Sequence, residues 1–415
     1  MKRRYGGNFS YSKKHSLRQF SSFTVLHFIK KSGVRTTPNH VITIPKKFSF
    51  YHNFDETIKV FQTMMSYFSK KEICPILDFS NCEYACISAL TLLRIYHNEY
   101  ISTQKRYQRI DRLYEVQRME VKPSYKNMKV KKHLHALGFY LYDDFKDEDG
   151  ELLSLDLIRG KYRHSYQENT KGKAIKQIVE FINNSFQPVN KSLTEKGTNT
   201  IESLVSEILN NAEDHSPTNG QWYANGVAFS EVVYGQHVVE INLSIINFGD
   251  SMFEGFEGTK ELNKDNYDKV DKKYKEHSSL FTSSNKFERE SLFMLYMLNE
   301  GISRLKYEDS SRGNGTMQFL DAFRTLGIFG KTDKNFNSLL NVISGHSVLS
   351  CDSQIGPYFH ENHLKLSLNK ENNLSLLPDK AYLRYNREFF PGTIIECRIY
   401  LNEQHLDEIL KNGKE

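Results

Sequence analysis

Cysteine is scarce in this chain: five in 415 residues, at Cys74, Cys82, Cys86, Cys351 and Cys397. An odd, scattered set of this size is no disulfide framework, and it points to a reducing, cytoplasmic setting. Long apolar runs are missing as well. The densest, Leu292 to Leu298, falls far short of the roughly 18–20 residues that cross a bilayer, so no membrane partner is expected. No apolar segment follows Lys2-Arg3-Arg4, so no secretory signal is expected. No segment repeats at a period of roughly 20–50 residues, which excludes a solenoid. Acidic residues are absent before Asp55, while eleven Lys and Arg lie from Lys2 to Lys47.

What is present fits a folded protein. Hydrophobic residues make up 39% and charged residues 26%, enough to bury a core and too apolar for a disordered chain. The length implies two or three domains. The 56 Lys+Arg against 50 Asp+Glu give +6. With the eleven early cations set aside, the remainder carries −5. Residues 1–38 therefore read as a basic arm. The plainer reading of such an arm is a solvated, partly disordered leader; contact with nucleic acid or another polyanion comes next, and a mitochondrial transit peptide third.

Periodicity divides the rest. Ile58, Phe61, Met64, Met65 and Phe68 recur at helical spacing, Ile73 to Phe79 reads as a buried strand, and Tyr84 to Tyr96 as a helix. Alternating β and α predict a small α/β domain over 39–145. The polar stretch 146–174 reads as a linker. Thr200 to His215 is a strong helix, with Ile201, Leu204, Val205, Ile208 and Leu209 on one face. Val227 to Tyr234 and His237 to Asn247 predict paired strands around Gly235-Gln236. Residues 254–290 are rich in Lys, Ser and Asn and predict a long mobile loop. Ser291 to Gly301 and Met317 to Leu326 predict helices. Leu339 to Ser344, Ser347 to Cys351 and Thr393 to Leu401 predict strands, and 403–415 a tail.

Three separated segments carry chemistry. In Ser206 to Ser216, Glu207, Asn211 and Asp214 fall at i, i+4 and i+7 on one helical face. A carboxylate and an amide opposite an apolar face fit a Mg²⁺ site, because Mg²⁺ takes hard oxygen ligands and shares them with water and phosphates. The same spacing also describes an ordinary solvated face. Asn247-Phe248-Gly249-Asp250-Ser251 closes a strand, where a polar side chain can meet a base edge; many strands also end so at a turn. Ser311 to Met317 sets Gly313 and Gly315 about Asn314, just before a helix. Converging N–H groups and the helix dipole suit phosphates there, and a flexible turn capped by Thr316 is the plainer alternative.

Order and spacing together make residues 175–402 resemble the ATP-binding domain of the GHKL superfamily, the gyrase-, Hsp90- and histidine-kinase-type ATPases. Residues 207–216 look like its N box, 247–251 like its Asp-x-Gly-x-Gly box, and 312–316 like its second Gly box, with 252–311 as the lid. Gly392-Thr393 resembles its late Gly-Thr. The resemblance implies an α/β sandwich with a mixed sheet and a helical layer, binding ATP and Mg²⁺. Asn211 would hold the Mg²⁺. Glu207 would be the general base. Asn247, Gly249, Asp250 and Thr393 would meet the base. Arg312, Gly313, Asn314, Gly315 and Thr316 would meet the phosphates, with Asp214 beside Asn211. Asn247 stands where the family has Asp, and Ser251 where it has the second Gly.

Residues 78–90 resemble the strand–loop–helix signature of STAS domains, protein-interaction modules often partnered with GHKL kinases. Cys86 and Ile87 replace the family's Asp and phosphorylatable Ser, while Ser88 and Leu90 match. A phospho-switch is therefore not expected. The expectation is an ATP-binding regulatory protein, an Mg-dependent ATPase or ATP-gated switch, that meets a protein partner through its N-terminal domain, with an oligomer as a further option. Two alternatives stand beside it: an anti-sigma-factor-type serine/histidine kinase, and a non-catalytic nucleic-acid-binding scaffold that uses the arm and the basic stretch 101–135.

Overall fold

The computed structural model of the chain describes residues 40–67, 75–110, 119–122, 126–139, 152–160, 170–214, 221–233, 235–299, 315–327, 336, 338–352, 355–361 and 363–412. The chain divides into two compact units, Met1–Phe145 and Lys146–Glu415. Each combines helices with sheet, so the fold is α+β. No described helix is long and apolar enough to cross a membrane.

The first unit holds β1 (Val41–Thr43), β2 (Lys47–Phe48), α1 (Phe54–Met65), β3 (Ile76–Asp78), β4 (Tyr84–Ala85), α2 (Ile87–Ile110), β5 (Glu120–Lys122) and α3 (Met128–Ala136). β1, β3 and β5 form a parallel sheet in the order β1-β3-β5, and β2 pairs with β4 in parallel. Asp55 and Glu56 favour the start of α1, and its Phe54, Ile58, Phe61 and Met65 are buried one turn apart. The short strands and buried aromatics bear out alternating β and α in this region.

The second unit starts inside the stretch expected to be a linker. β6 (Leu152–Gly160) is an edge strand, followed by α4 (Thr170–Asn184) and α5 (Glu195–Asp214). Then come β7 (Trp222–Val233), β8 (Gln236–Phe248), α6 (Met252–Gly258), α7 (Lys264–Ser278), α8 (Arg289–Asn299) and α9 (Gly315–Leu326). β9 (Leu339–Cys351), β10 (Tyr358–His360), β11 (His363–Lys365), β12 (Leu383–Asn402) and α10 (Glu403–Asn412) complete it; the expected tail is thus largely helical.

The main sheet runs β6-β7-β8-β12-β9. It is not mixed, as expected, but antiparallel at all four described pairings. β7 and β8 form a hairpin across Gly235, whose φ of 78° suits the turn. The long excursions before β7 and before β9 return the chain in the opposite sense to its sheet neighbour. β9 is one strand where two were expected, bent at Gly345 (φ 61°). Its register with β12 shifts between Phe390 and Thr393.

One side of this sheet faces a helical layer. α5 supplies Ile201, Leu204, Val205, Ile208 and Leu209 to that core, and α8 is buried along its length from Ser291 to Asn299.

The expected mobile loop 254–290 is largely helix. Ser251 and Glu254 form a reciprocal capping box that starts α6. α7 buries Tyr267, Val270 and His277. Arg289 clamps the group: it meets Asp271 at 3.0 Å and the Tyr267 hydroxyl at 2.6 Å, and lies 4.5 Å from the Phe293 ring.

Candidate functional site

The helix-facing side of the sheet is aliphatic along most of its length, with Ile241, Leu243 and Ile245 on β8 and Ile395, Cys397 and Ile399 on β12. Its character changes at one end. Gly160, Trp222, Asn247, Thr393 and Ser344 form a transverse row, each in register with the next across all five strands. Cross-strand partners share a face, and Trp222 belongs to the core under the helices. The Asn247 amide and the Thr393 and Ser344 hydroxyls therefore face the helical layer.

Most of the row is fixed by its neighbours. At Gly160 a Cβ would lie 1.9 Å from Trp222 Cε2, so only glycine leaves room for the indole. Trp222 Nε1 donates to Glu213 Oε1 at 3.0 Å. The other Glu213 oxygen meets Lys171 Nζ at 2.9 Å, and Lys171 also donates to Asn210 Oδ1 at 2.6 Å. α4 and α5 are thereby tied to the row. At Gly392 (φ 125°) a Cβ would lie 2.1 Å from the Asn247 carbonyl oxygen, so glycine lets β12 close on β8 beside Thr393. Ser344 Oγ donates to the Gly392 carbonyl at 2.9 Å, which leaves it to accept from the Thr393 hydroxyl at 3.0 Å and from the Met252 N–H at 2.8 Å.

Asn247 differs. It is 4% exposed, and its Nδ2 has no hydrogen-bond partner among the described residues. A buried amide left so costs about 1–3 kcal/mol unless a ligand or water satisfies it.

The other expected site residues fall as follows. Glu207 and Asn211 are half-buried, one turn apart on α5, and neither has an ion pair or side-chain hydrogen bond among the described residues. Gly249 and Asp250 follow β8, and the next residue, Ser251, caps α6. Gly315 and Thr316 open α9, which packs on α5. An open groove of about 560 Å³ runs along that pair, lined by Thr200, Ser203, Leu204 and Gln318. The Asp214 side chain and Arg312, Gly313 and Asn314 lie outside the described residues.

No group of three or more His, Cys, Asp or Glu among the described residues is arranged to hold a metal. Sequence reasoning missed Glu213, Lys171 and Ser344. Glu213 was visible only as the residue beside Asp214; its burial depends on where Trp222 comes to rest.

In the first unit, Asp78 ends β3 and accepts from the Ser80 N–H at 3.0 Å. Burial alone would raise its pKa; the Ser80 hydrogen bonds and the Lys122 charge outweigh that and hold it below the usual value. Ser88 is fully buried against Cys86 Sγ at 3.2 Å, so it is not presented for modification. Burial pushes the Cys82 thiol to about 11, which makes it a poor nucleophile at neutral pH. Searches against protein-family models, curated proteins and solved structures find no match to this chain.

Proposed function

We propose that residues 175–402 form a GHKL-type nucleotide-binding module that takes Mg-ATP and works as a regulatory ATPase or ATP-gated switch. The observation that carries this reading is Asn247: an enclosed amide with an unsatisfied donor, in register with Thr393, on the sheet face toward α5. Segments far apart in sequence supply that row, and their order is the one the resemblance requires.

In this reading Asn247 and Thr393 meet the edge of the base. An amide has both a donor and an acceptor, so it can replace the carboxylate expected there. Asn211 offers its oxygen to Mg²⁺, and Gly315 and Thr316 present the start of α9 to phosphate. Mg²⁺, when bound, neutralises phosphate charge. Glu207, one turn before Asn211, takes a proton from the attacking water.

Calorimetry with Mg-ATP tests binding; no heat of binding at any accessible concentration ends the proposal. Phosphate release then tests turnover. Glu207→Gln should keep binding and lower turnover by about 10²–10⁴-fold. Label from γ-labelled ATP left on protein would redirect the reading to a kinase.

A further inference from the structure

The two units differ in charge far more than the arm alone accounts for. Residues 1–145 hold 25 Lys+Arg against 11 Asp+Glu, whereas residues 146–415 hold 31 against 39. Without residues 1–38 the first unit still holds 16 Lys+Arg against 11 Asp+Glu, so it is basic beyond the arm. No acidic residue occurs from Val121 to Tyr142, a segment with five lysines.

Topology gathers part of this charge at one edge. Lys46 and Lys47 follow β1, Lys122 ends β5, and Lys126 precedes α3, so all lie at the C-terminal ends of the parallel strands β1, β3 and β5. That edge is where open parallel sheets generally bind ligands. The parts touch. Lys47 is in register with Tyr84, and Asn127, the N-cap of α3, donates from Nδ2 to the Glu83 carbonyl at 2.6 Å. Tyr84 packs edge-on to His52 at 5.1 Å, and His52 to Tyr51 at 4.6 Å. His52 is exposed and both tyrosines are half-exposed.

α3 buries Val130, His133 and Leu134, which turns its lysines outward. Four carboxylates lie near the edge: Glu83 pairs with Lys46 at 3.2 Å, Asp78 is engaged by Ser80 and Lys122, and Asp55 and Glu56 open α1 just after His52, with Glu56 paired to Lys59 at 2.8 Å. Lys47, Lys126 and Lys132 have no ion pair among the described residues.

We infer that this edge binds single-stranded nucleic acid, with Lys47, Lys126 and Lys132 on the phosphates and the Tyr51–His52–Tyr84 cluster on the bases. Lysines alone would fit any polyanion. The aromatic cluster among them favours unpaired bases, which present a π face that a duplex hides. This inference is independent of ATP binding.

The test is fluorescence anisotropy of the full chain with labelled oligo-dT, oligo-U and a duplex of equal length, over a salt series. Single strands should bind, and the affinity should fall with salt at about 0.7 log units per log unit of salt for each phosphate contact. The Lys126→Glu/Lys132→Glu double variant should weaken binding about ten-fold or more and lower that slope by about 1.4. Tyr51→Ala and Tyr84→Ala should each weaken single strands about ten-fold while sparing the duplex, with circular dichroism confirming the fold.

Binding unchanged by both charge reversals overturns the inference, and so does binding lost only when residues 1–38 are removed. A duplex bound as tightly as a single strand, with no effect of the tyrosines, overturns it too. A preference for anionic vesicles over oligonucleotides, or charge reversals that change only self-association in sedimentation, would likewise assign the edge to another partner.

Discussion

Gly160 illustrates how one absent methyl group sets the candidate site. Its Cβ would overlap the indole of Trp222, so the ring could not keep its place beside Gly160 and reach Glu213. Gly160→Ala should therefore cost about 2–3 kcal/mol. Urea unfolding followed by fluorescence reads this directly, because Trp222 is the single tryptophan of the chain. A midpoint unchanged from wild type would mean that the row tolerates displacement of the indole. In sequence, Gly160 looks like any strand-end glycine. Asn247, Gly392 and Thr393 were legible because each lies in a short motif, whereas Glu213 and Ser344 have no motif and take their meaning from a partner on another strand or helix.

Among elements, α6 to α8 depart most from the sequence reading. Tyr267, Val270, Tyr274 and His277 do fall on one helical stripe, but four apolar or aromatic positions in so charged a segment give a weak signal. The segment is helical because its ends and its stripe find partners. Ser251 caps α6, the rings of Phe256 and Tyr267 stack at 5.5 Å, and Arg289 draws Asp271 and Tyr267 together. Helix propensity alone would leave pieces this short unfolded. Ser251→Ala removes the cap and also loosens the approach to Ser344 through Met252. The expected loss is about 1 kcal/mol, measured as a lower urea midpoint. A loss within error would show that tertiary packing alone holds α6. α5 and the β7–β8 hairpin, by contrast, were readable in advance, since their apolar periods are long and uninterrupted.

For the whole molecule, the division into two units sharpens the charge picture: the basic share belongs to a folded unit as well as to the arm. Acid also acts on both units through histidines. In the first, burial and then the nearby Arg94 charge lower the His97 ring from 6.5 to about 4. The unfolded chain takes up that proton below about 6.5 and the folded chain does not, so His97 costs stability progressively as pH falls from about 6.5 toward 4, and nothing above. His97→Gln should remove this share. Urea unfolding at pH 7 and pH 5, followed by circular dichroism, should show a smaller acid-induced shift in the variant. Trp222 fluorescence, which reports the second unit, should change less. An equal acid shift in variant and wild type would place the sensitivity elsewhere, for instance at His277, which burial also lowers.

The sequence by itself determined the local matters: which stretches are amphipathic, where glycine and proline break them, how charge is spread, and the order of the three polar motifs. These follow from side-chain period and backbone freedom within a few neighbours. Tertiary structure alone decided that the described pairings of the sheet are all antiparallel, that 252–299 is largely helical, and that Trp222, Asn247, Thr393 and Ser344 share one row. That row depends on strand register between residues up to 146 apart, Asn247 and Thr393, and register is fixed only when whole strands pair and bury their apolar side.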